Sequence, residues 1–597
     1  SDLNSQNGPG GVGTSANNVL WLDANRGITL SGSSVTNWAD QSGNAFNAVP
    51  SSTIARPTYV TNSANGYPTL DFDGTNDELW VNDAAALDLT SWHFFAVPLI
   101  DNQKNYNAIL VKGNDSFENY EMLGFSDASL HMPIYWSDAT RTFPNTTTSQ
   151  LTATANVFEY SYSSAVGRDV YRNNTNIQTD NENKTPSTNN FSLYIGNERS
   201  TTGRFLDGDL AEVIMYNSPL NSAQRIIVNN YLAAKYNCTL TANDLYDEDN
   251  AANGNYDHDV AGIGRVNSSN IHNDSRGSGI VRILNPTGLG DNEFYFWGHD
   301  NGALGTFGTS DYPSTQGVER RWVRVWRGSE TGSITNFEIR FDLTGQGPVT
   351  ASELRLLIDT NNDGFFADET TAGGGVIGSA VTLGSNVYGF TNVTGLNNNI
   401  RFTLGTSSFS STPLPIELVE FNAIAVGDEV KLNWKTAAEK GNDYFSIERS
   451  KNGLDFETRF LVKGAGNSTS SIDYLETDYE PMDGISYYRL KQTDYDGKVS
   501  YSPIVVVNLK KSSSQMILYP NPTQGDFTVK LENGSFAKET LLVIRNAEGQ
   551  EFYSQAILNG DEVMIKESDL VNKLKPGVYF VIASSNKEMY NQKLIVK

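Results

Sequence analysis

Short runs of alternating apolar and polar residues recur along the chain, with turn residues between them. The runs 293–298 and 337–341 are examples, each five or six residues long and rich in aromatic and β-branched side chains. A period of two buries one side of each run, whereas an amphipathic helix needs a period of 3.6. Glycine is abundant, at 52 residues, and helix-type periodicity is scarce. The pattern predicts an all-β chain of several β-sandwiches joined by many turns.

Length and charge narrow the possibilities. A chain of 597 residues exceeds what a single hydrophobic core serves, so about three to five domains are expected. The formal net charge of −26 repels phosphate backbones and attracts divalent cations, so no nucleic-acid partner is expected. Cys238 is the single cysteine, which excludes an intrachain disulfide.

The first predicted domain covers residues 1–237. It contains Leu-Trp-Leu-Asp at 20–23, an Asp-Phe-Asp-Gly-Thr-Asn-Asp turn at 71–77 and a long strand-like run at 205–216. Together these segments resemble the laminin-G-like, concanavalin A-type jelly roll. The resemblance implies two facing antiparallel sheets over nearly the whole region.

One helix is predicted at the end of this domain, at 221–235. Ile226, Ile227, Tyr231 and Leu232 recur with helical spacing and would share one face. The asparagine at the start of the segment is a preferred N-cap residue.

The second predicted domain, 238–406, begins with an acidic loop at 244–259. A His-Asp-Val-Ala-Gly-Ile-Gly-Arg segment at 258–265 and a later Trp-Gly at 297–298 are its most distinctive features. They resemble a β-sandwich module that often follows laminin-G-like domains in bacterial surface proteins. The resemblance implies a fold and carries no biochemical role.

A third domain is predicted at 416–509, after a Ser/Thr/Pro linker at 407–415. Its run 430–434 would be a core strand containing Trp434, and Asp-Gly at 496–497 predicts a hairpin turn. The domain resembles a fibronectin type III-like domain, which in this position implies a spacer. A second linker is predicted at 510–514.

The last predicted domain, 515–597, combines a Pro-Asn-Pro turn, a Gly-x-Tyr strand and a basic terminal strand in that order. Proline restricts its own φ and the conformation of the preceding residue, so the turn is well defined. The domain resembles the C-terminal sorting domain of type IX secretion substrates from Bacteroidetes-type bacteria. The residues that carry the resemblance are Pro520, Asn521, Pro522, Gly525, Gly577, Tyr579 and Lys593.

That resemblance implies a secreted protein that crosses the outer membrane and works at the cell surface or beyond it. It implies as partners the outer-membrane β-barrel proteins of the type IX translocon and shuttle. In the family the domain is usually removed by a sortase-like peptidase, and the protein is then attached to the surface or released.

The sharpest chemical motif is the segment 359–369, in which oxygen-bearing side chains alternate before a glycine. Oxygen-only ligands at such spacing favour calcium over transition metals. The segment departs from the helical EF-hand, because a strand-like run precedes it and Thr370 occupies the twelfth position. A structural calcium is predicted. The candidate ligands are Asp359, Asn361, Asp363, Phe365 through its carbonyl, Asp368 and Glu369.

A weaker calcium site is predicted in the first domain. Laminin-G-like folds often bind one ion at the rim of a sheet, which implies Asp209, joined by Asp73 and Asp77. Turn chemistry accounts for these aspartates as well, so both interpretations stay open.

No catalytic constellation is recognisable. A glycosidase needs two carboxylates about 5–10 Å apart, and the Glu-x-Asp-x-x-Glu strand of the related laminarinase-type family is missing. Glu118 and Glu121 would point to opposite faces of a regular strand. His258, between Asp257 and Asp259, is the most suggestive histidine, and a structural role is favoured for it. The sequence therefore predicts that the chain is not an enzyme.

Ligand binding is the leading function. Sugars stack on aromatic rings while neighbouring polar groups contact their hydroxyls. The candidate residues are Trp80, Trp92, Tyr135 and Trp136. The prediction is a lectin-like adhesin or carbohydrate-binding surface protein, with glycans as candidate partners. The alternatives are a polysaccharide-acting enzyme of glycoside hydrolase type and a ligand-free structural surface protein.

Overall fold

The computed structural model forms two compact units, Ser1–Ile416 and Glu417–Lys597. The predicted turn at 496–497, the linker 510–514 and positions 409–415 of the first linker lie outside the described residues. The described residues are 8–597 except 115–116, 199–203, 305–306, 309, 345–348, 385, 409–417, 437–438, 454, 469–471, 496–498, 503, 510–514, 533, 538, 558–559 and 586–588.

The first sandwich consists of two antiparallel sheets and a small hairpin, Ile134–Tyr135 with Arg141–Thr142. The ten-stranded sheet A runs in the order Thr175–Asp180, Gly167–Arg172, Phe158–Ser163, Trp92–Ile100, Asp207–Tyr216, Tyr67–Asp73, Thr58–Ala64, Ser34–Trp38 and Ile28–Ser31, and Asn18–Asp23 also pairs with Asp207–Tyr216. The five-stranded sheet B runs in the order Leu130–His131, Tyr120–Gly124, Asn107–Lys112, Leu193–Ile195 and Leu79–Val81. Alternating side chains of both sheets fill a core between them.

The helix Ser222–Tyr236 follows the first sandwich, at the predicted position. Asn221 caps it through a capping box: its side chain accepts from the Gln224 N–H at 3.0 Å, and the Gln224 side chain accepts from the Asn221 N–H at 3.1 Å. The left-handed Asn237 ends the helix. The cap pattern was therefore readable from the sequence.

The second sandwich also has two sheets. In the nine-stranded sheet C the order is Asn270–His272, His258–Asn267, Glu293–His299, Trp326–Thr331, Arg401–Thr406, Arg320–Trp322 and Phe307–Gly308; Leu354–Ile358 pairs with both Arg401–Thr406 and Val376–Gly378. The five-stranded sheet D has the order Asp274–Ser275, Val281–Thr287, Asn336–Asp342, Val387–Val393 and Val381–Gly384. Their inner faces enclose an aromatic-rich core.

The two sandwiches share a hydrophobic cluster around the helix Ser222–Tyr236. Trp21 and Ile214 of sheet A contribute to it, and so do Val260 and Phe296 of sheet C. The predicted boundary at 237/238 therefore falls within a continuous core. Such a boundary cannot be read from linear sequence, because the same helix buries side chains against both neighbours.

The N-terminal segment joins the second sandwich. The Ser275 hydroxyl donates to the Gly10 carbonyl at 3.1 Å, and His272 Nε2 lies 2.9 Å from the Gly11 carbonyl. Gly11 has φ +84°, and a Cβ there would lie 1.7 Å from Ser275 Oγ. Only glycine permits this approach of the two chain segments.

The second unit contains four sheets around two separate cores. Sheet E has the order Leu418–Val426, Glu429–Thr436 and Ile472–Asp478, and sheet F the order Phe456–Ser468, Glu439–Ser450, Gly484–Asp494 and Val499–Tyr501, with Val505–Leu509 also paired to Gly484–Asp494. Sheet G has the order Gln515–Tyr519, Phe527–Glu532 and Glu562–Ile565, and sheet H the order Glu551–Ile557, Thr540–Asn546, Gly577–Ser584 and Met589–Val596. Trp434 lies in the first core, as predicted, and Tyr579 lies in the second.

Helical structure is sparse, and the prediction of an all-β chain is confirmed. The described residues contain no helix of the length and apolar character that crossing a membrane would require. Besides Ser222–Tyr236 there are short 3₁₀ turns at Pro9–Gly11, Ala85–Leu87, Ala251–Asn253, Ser314–Gln316, Ala351–Glu353 and Glu567–Asp569.

Candidate functional site

Two of the four aromatic residues predicted to contact a ligand lie in the core of the first sandwich. Trp92 and Trp136 are fully buried. The Trp92 ring centroid lies 5.6 Å from that of Phe94 and 5.4 Å from that of Tyr120, and Trp136 Nε1 donates to Thr142 Oγ1 at 3.0 Å. The prediction is wrong for these two tryptophans, because the fold turns both indoles inward, where no sugar can stack on them.

Trp80 and Tyr135 remain partly exposed. Trp80 lies on the outer face of sheet B, with its ring centroid 6.2 Å from that of Tyr194. Tyr194 is itself buried, so Trp80 offers an isolated partial surface. Tyr135 has more company.

Tyr135 belongs to a surface cluster with Phe117, Arg141 and Phe143, which we call the aromatic patch. Tyr135 lies opposite Arg141 across the small hairpin. The ring centroids of Tyr135 and Phe117 are 5.1 Å apart, and the Arg141 guanidinium carbon is 4.2 Å from the Phe143 centroid. Phe117 is 49% exposed and Phe143 55% exposed. The patch therefore presents three aromatic rings around one cation.

A buried carboxylate lies beneath this patch. Glu118 is inaccessible to solvent and forms an ion pair with Arg141. Its backbone carbonyl accepts the Tyr135 N–H at 2.8 Å. The ion pair and the ring of Phe143 hold the guanidinium in place, so the patch is preorganised. Phe117 and Phe143 were not predicted, because the sequence does not show which aromatic residues face outward.

A cleft of about 470 Å³ lies at the N-terminal end of the helix Ser222–Tyr236. We call it the helix-end cleft; it is lined by Asn174, Ser222, Arg225, Ile226, Asn243, Leu245, Val266, Asn292, Phe294 and Thr331. Arg225 is held by Glu159, with nitrogen–oxygen distances of 2.7 and 2.9 Å. Amides, hydroxyls and apolar side chains therefore dominate its surface, which suits an uncharged polar ligand.

The predicted calcium loop is closed by hydrogen bonds of its own. Asp359 accepts the N–H groups of Asp363 and Gly364 at 3.1 and 2.9 Å. Arg401 Nη1 lies 3.1 Å from Asp359 Oδ2. Asp359 is thus already neutralised by a guanidinium, which weakens its availability as a first ligand.

The outer part of this loop fits a cation better. Asn361 Nδ2 donates to Asp363 Oδ2 at 3.1 Å and to Asp368 Oδ2 at 3.0 Å. A half-turn of the amide would direct its oxygen to the same point, giving three oxygens around one position. Glu369 instead accepts from the Thr360 backbone at 2.6 Å. Phe365 donates its N–H to Asp363 Oδ1 at 2.9 Å.

The weaker predicted site is arranged differently from the prediction. Asp209 groups with Asp71 and Asp101, whose carboxylate oxygens all lie within 4.8 Å of one another. Burial raises the pKa of Asp71 and of Asp101, and the neighbouring carboxylates raise both further. Strand register carries the signal that was missed, because Asp71 lies directly opposite Asp209 in sheet A.

Asp73 and Asp77 form a turn of their own. Asp73 Oδ1 accepts the Thr75 N–H at 2.8 Å, and Asp77 Oδ2 accepts the Asp73 N–H at 3.1 Å. Burial raises the pKa of Asp77 to about 6. Of the two open interpretations, the turn is the one that the geometry displays.

A cavity of about 150 Å³ lies between the two sandwiches, near the His258 cluster. Asp259 accepts from His299 Nε2 at 3.0 Å, from Arg26 Nη2 at 2.7 Å and from the Ser278 hydroxyl. Burial alone would raise the pKa of Asp259, but these partners hold it well below its ordinary value. Burial lowers the pKa of His299.

His258 is held in the same cavity. Its Nδ1 lies 2.6 Å from Asp257 Oδ1, and its ring centroid is 5.6 Å from those of Tyr67 and His299. Asp257 also accepts from Asn65 of the first sandwich at 3.1 Å. The cluster therefore links the two sandwiches. The serine in its lining donates to a carboxylate, so no activated nucleophile is evident among the described lining residues.

The predicted sorting residues surround the terminal strand Met589–Val596. Asn521 bonds to the backbone of this strand, Gly577 lies opposite Val596, and Lys593 is exposed. Tyr579 is buried, and its hydroxyl donates to the Lys575 carbonyl at 3.0 Å. Pro520 and Pro522 flank Asn521 in cis peptide bonds. Gly525 donates its N–H to Thr523 Oγ1 at 3.1 Å.

Two sequence families match parts of the chain. A family described as a domain of unknown function (DUF8202) matches residues 224–394. A family described as a secretion system C-terminal sorting domain matches residues 517–597. The first match begins inside the helix Ser222–Tyr236, which agrees with the contacts of that helix to the second sandwich. No curated protein sequence matches the chain.

Solved structures share only distant similarity. A Trypanosoma rangeli sialidase in complex with 2,3-difluorosialic acid is 16% identical with a TM-score of 0.27, covering 38% of this chain and 34% of its own. Domain 4 of AbnA, a GH43 arabinanase from Geobacillus stearothermophilus in complex with arabinotriose, is 12% identical with a TM-score of 0.28, covering 36% and 98%. The binding domain of Paraclostridial Mosquitocidal Protein 1 is 12% identical with a TM-score of 0.29, covering 55% and 76%. This chain thus spans about a third of the sialidase, and these scores are too low to transfer a function.

The sorting-domain match confirms the predicted address. The protein is exported by type IX secretion to the cell surface or extracellular space, and its C-terminal domain interacts with that machinery. The laminin-G-like and fibronectin type III-like identities of the other sandwiches remain predictions.

Proposed function

We propose that the exported protein is a lectin-like surface adhesin whose Ser1–Ile416 unit binds carbohydrate. The observation that carries the proposal is the aromatic patch. Exposed aromatic rings are unfavourable in water unless they serve a partner, and pyranose rings present C–H faces that stack on them. The guanidinium of Arg141 can donate to sugar hydroxyls at the edge of the stacked face.

The experiment is a glycan array probed with the full chain, followed by titration of the best glycan. Tyr135→Ala and Phe143→Ala should each weaken binding about tenfold, the effect of losing roughly 1.4 kcal/mol of contact. Val166→Ala is the matched control, because Val166 is exposed in the same sandwich outside the patch. Equal affinity of the patch variants and the control would remove the patch from the proposal.

The helix-end cleft is the second candidate surface on the same unit. Asn292→Ala would weaken glycan binding there, and the patch variants would not. Loss in neither set, with no glycan bound by the wild type, favours the ligand-free structural protein. Release of reducing sugar from a bound polysaccharide would favour the enzyme alternative and contradict the prediction that the chain is not an enzyme.

Calcium is the cofactor that we propose for the loop at 359–369, in a structural role. Millimolar calcium should raise the Tm of the full chain, and a chelator should reverse the change. Asp368→Asn removes one of the two carboxylates around Asn361 and should reduce the shift. Magnesium is the control ion, since it prefers a smaller, strictly octahedral site. An unchanged Tm in calcium would contradict this cofactor.

A further inference from the structure

The two sheets of the sorting domain present different outer faces to solvent. On sheet H, Val578, Phe580 and Ile595 point outward and are 41%, 36% and 37% exposed. Leu541 and Met589 of the same sheet are also exposed apolar residues. We call these five residues the apolar face.

Strand register makes this face continuous. Val578 lies opposite Ile595 on the terminal strand, and Phe580 lies between Lys593 on one neighbour and Arg545 on the other. Phe580 is therefore an apolar centre with a cation on each side. Arg545 is only loosely paired, at 3.4 Å from Glu551. The arrangement is cationic in a chain whose formal net charge is −26.

Sheet G provides an internal contrast. Its outward positions include Gln515, Glu532 and the cross-strand pair of Lys530 with Glu562. The Tyr519 hydroxyl also bonds to Glu562 at 3.0 Å. A polar outer face is what an antiparallel sheet needs when one side packs on a core and the other faces water. Sheet H departs from that pattern, and such exposed apolar surface marks a contact.

The outer edge of the terminal strand is already occupied. Asn521 Nδ2 donates to the Lys593 carbonyl at 2.7 Å, and Asn521 Oδ1 accepts the Ile595 N–H at 2.9 Å. The Thr523 N–H donates to the Ile595 carbonyl at 2.8 Å, and its carbonyl accepts the Lys597 N–H at 2.9 Å. A partner therefore cannot add a strand at this stretch without displacing the Pro-Asn-Pro segment.

We propose that the secretion machinery recognises the sorting domain through the apolar face of sheet H, and not by adding a strand to its terminal edge. The sorting-domain match identifies the occupant as a protein of that machinery. Its docking surface should be apolar at the centre, to cover Phe580, and acidic at the rim, to meet Lys593 and Arg545.

The test uses the full chain in a bacterium with an active type IX system. Phe580→Thr and Ile595→Thr remove apolar surface but keep β-branched residues that suit a strand. Delivery to the surface, measured by protease accessibility on intact cells, should fall about tenfold for each, with the protein retained in the periplasm. Met564→Thr is the matched control, because Met564 is exposed on sheet G.

Two further readouts keep folding and recognition apart. The Tm of each purified variant should match that of the wild type within a few degrees. Lys593→Glu should reduce delivery and should be partly rescued at higher salt in a binding assay with solubilised machinery, as expected for charge complementarity.

Delivery of the Phe580 and Ile595 variants at wild-type levels would overturn the proposal. So would loss of delivery confined to Asn521→Ala, which would show that the edge is read. Dissociation of a wild-type dimer by the same variants, with export intact, would assign the face to a second copy instead. None of these outcomes depends on glycan binding.

Discussion

The two compact units use sandwiches in opposite ways. In Ser1–Ile416 the helix Ser222–Tyr236 buries side chains against both neighbouring sandwiches, and a single hydrophobic cluster contains residues of all three. In Glu417–Lys597 the two described cores are separate clusters. Adjacent sandwiches in one chain are therefore either fused or modular, and the element between them decides which. A helix that is apolar around most of its surface cannot be solvated on either side.

Division of the chain at the predicted boundary is the strongest way to break this comparison. Residues 238–406 expressed alone should fail to fold, because Val260, Phe294 and Phe296 lose the helix that covers them. Circular dichroism and thermal unfolding would check this. Residues 515–597, with a core of their own, should unfold cooperatively as an isolated domain. A cooperative transition of 238–406 alone would contradict the shared core.

Single core truncations sharpen the same contrast. Ile227→Ala in the buried face of the helix should cost about 2–4 kcal/mol, the usual effect of a large-to-small change in a core. It should lower the transition of the whole first unit as one. Leu542→Ala, equally buried in the sorting domain, should lower only one transition of the second unit. Calorimetry of the full chain distinguishes these outcomes.

Removal of the helix cap is a milder probe of the fused unit. Asn221→Ala abolishes the capping box and should destabilise the first unit by about 1 kcal/mol. Chemical denaturation measures the change. Asn221→Asp keeps an acceptor at this position and is the matched control. Equal loss in both variants would assign the effect to something other than the cap.

Acidity should act on the two units with opposite sign. Burial raises the pKa of Glu248 to about 7, against its ion partner Arg327. The folded state therefore keeps a proton that the unfolded chain releases near pH 4.5, so stability falls between about pH 4.5 and 7. Glu248→Gln should reduce this fall by about 1–2 kcal/mol, as denaturation at pH 5 and pH 8 would measure.

In the second unit Asp478 behaves in the opposite way. Burial alone would raise the pKa of Asp478, but bonds from Tyr488 and Arg449 lower it below its ordinary value. Its contribution is present above the unfolded pKa and disappears as the pH falls through the lower, folded value. A first unit that loses stability on acidification from pH 7 to 5 would contradict the assignment for Glu248.

The candidate sites were only partly readable from sequence. The calcium-type loop was recognised from spacing, yet Arg401, which lies beside Asp359, comes from a strand more than thirty residues later. Asp71 and Asp101 were missed, because their proximity to Asp209 depends on strand register. Trp92 and Trp136 were misassigned, because alternation identifies two faces of a strand and does not say which faces the core.

The sequence by itself determined the all-β class, the capped helix and the sorting domain, because these depend on local periodicity, cap chemistry and motif order. Tertiary structure alone decided that the first two sandwiches share one core and that Phe117, Tyr135, Arg141 and Phe143 meet at the surface. It also decided that sheet H exposes an apolar face. The physical reason is that burial is a property of pairs of surfaces, and those pairs join residues far apart in the chain.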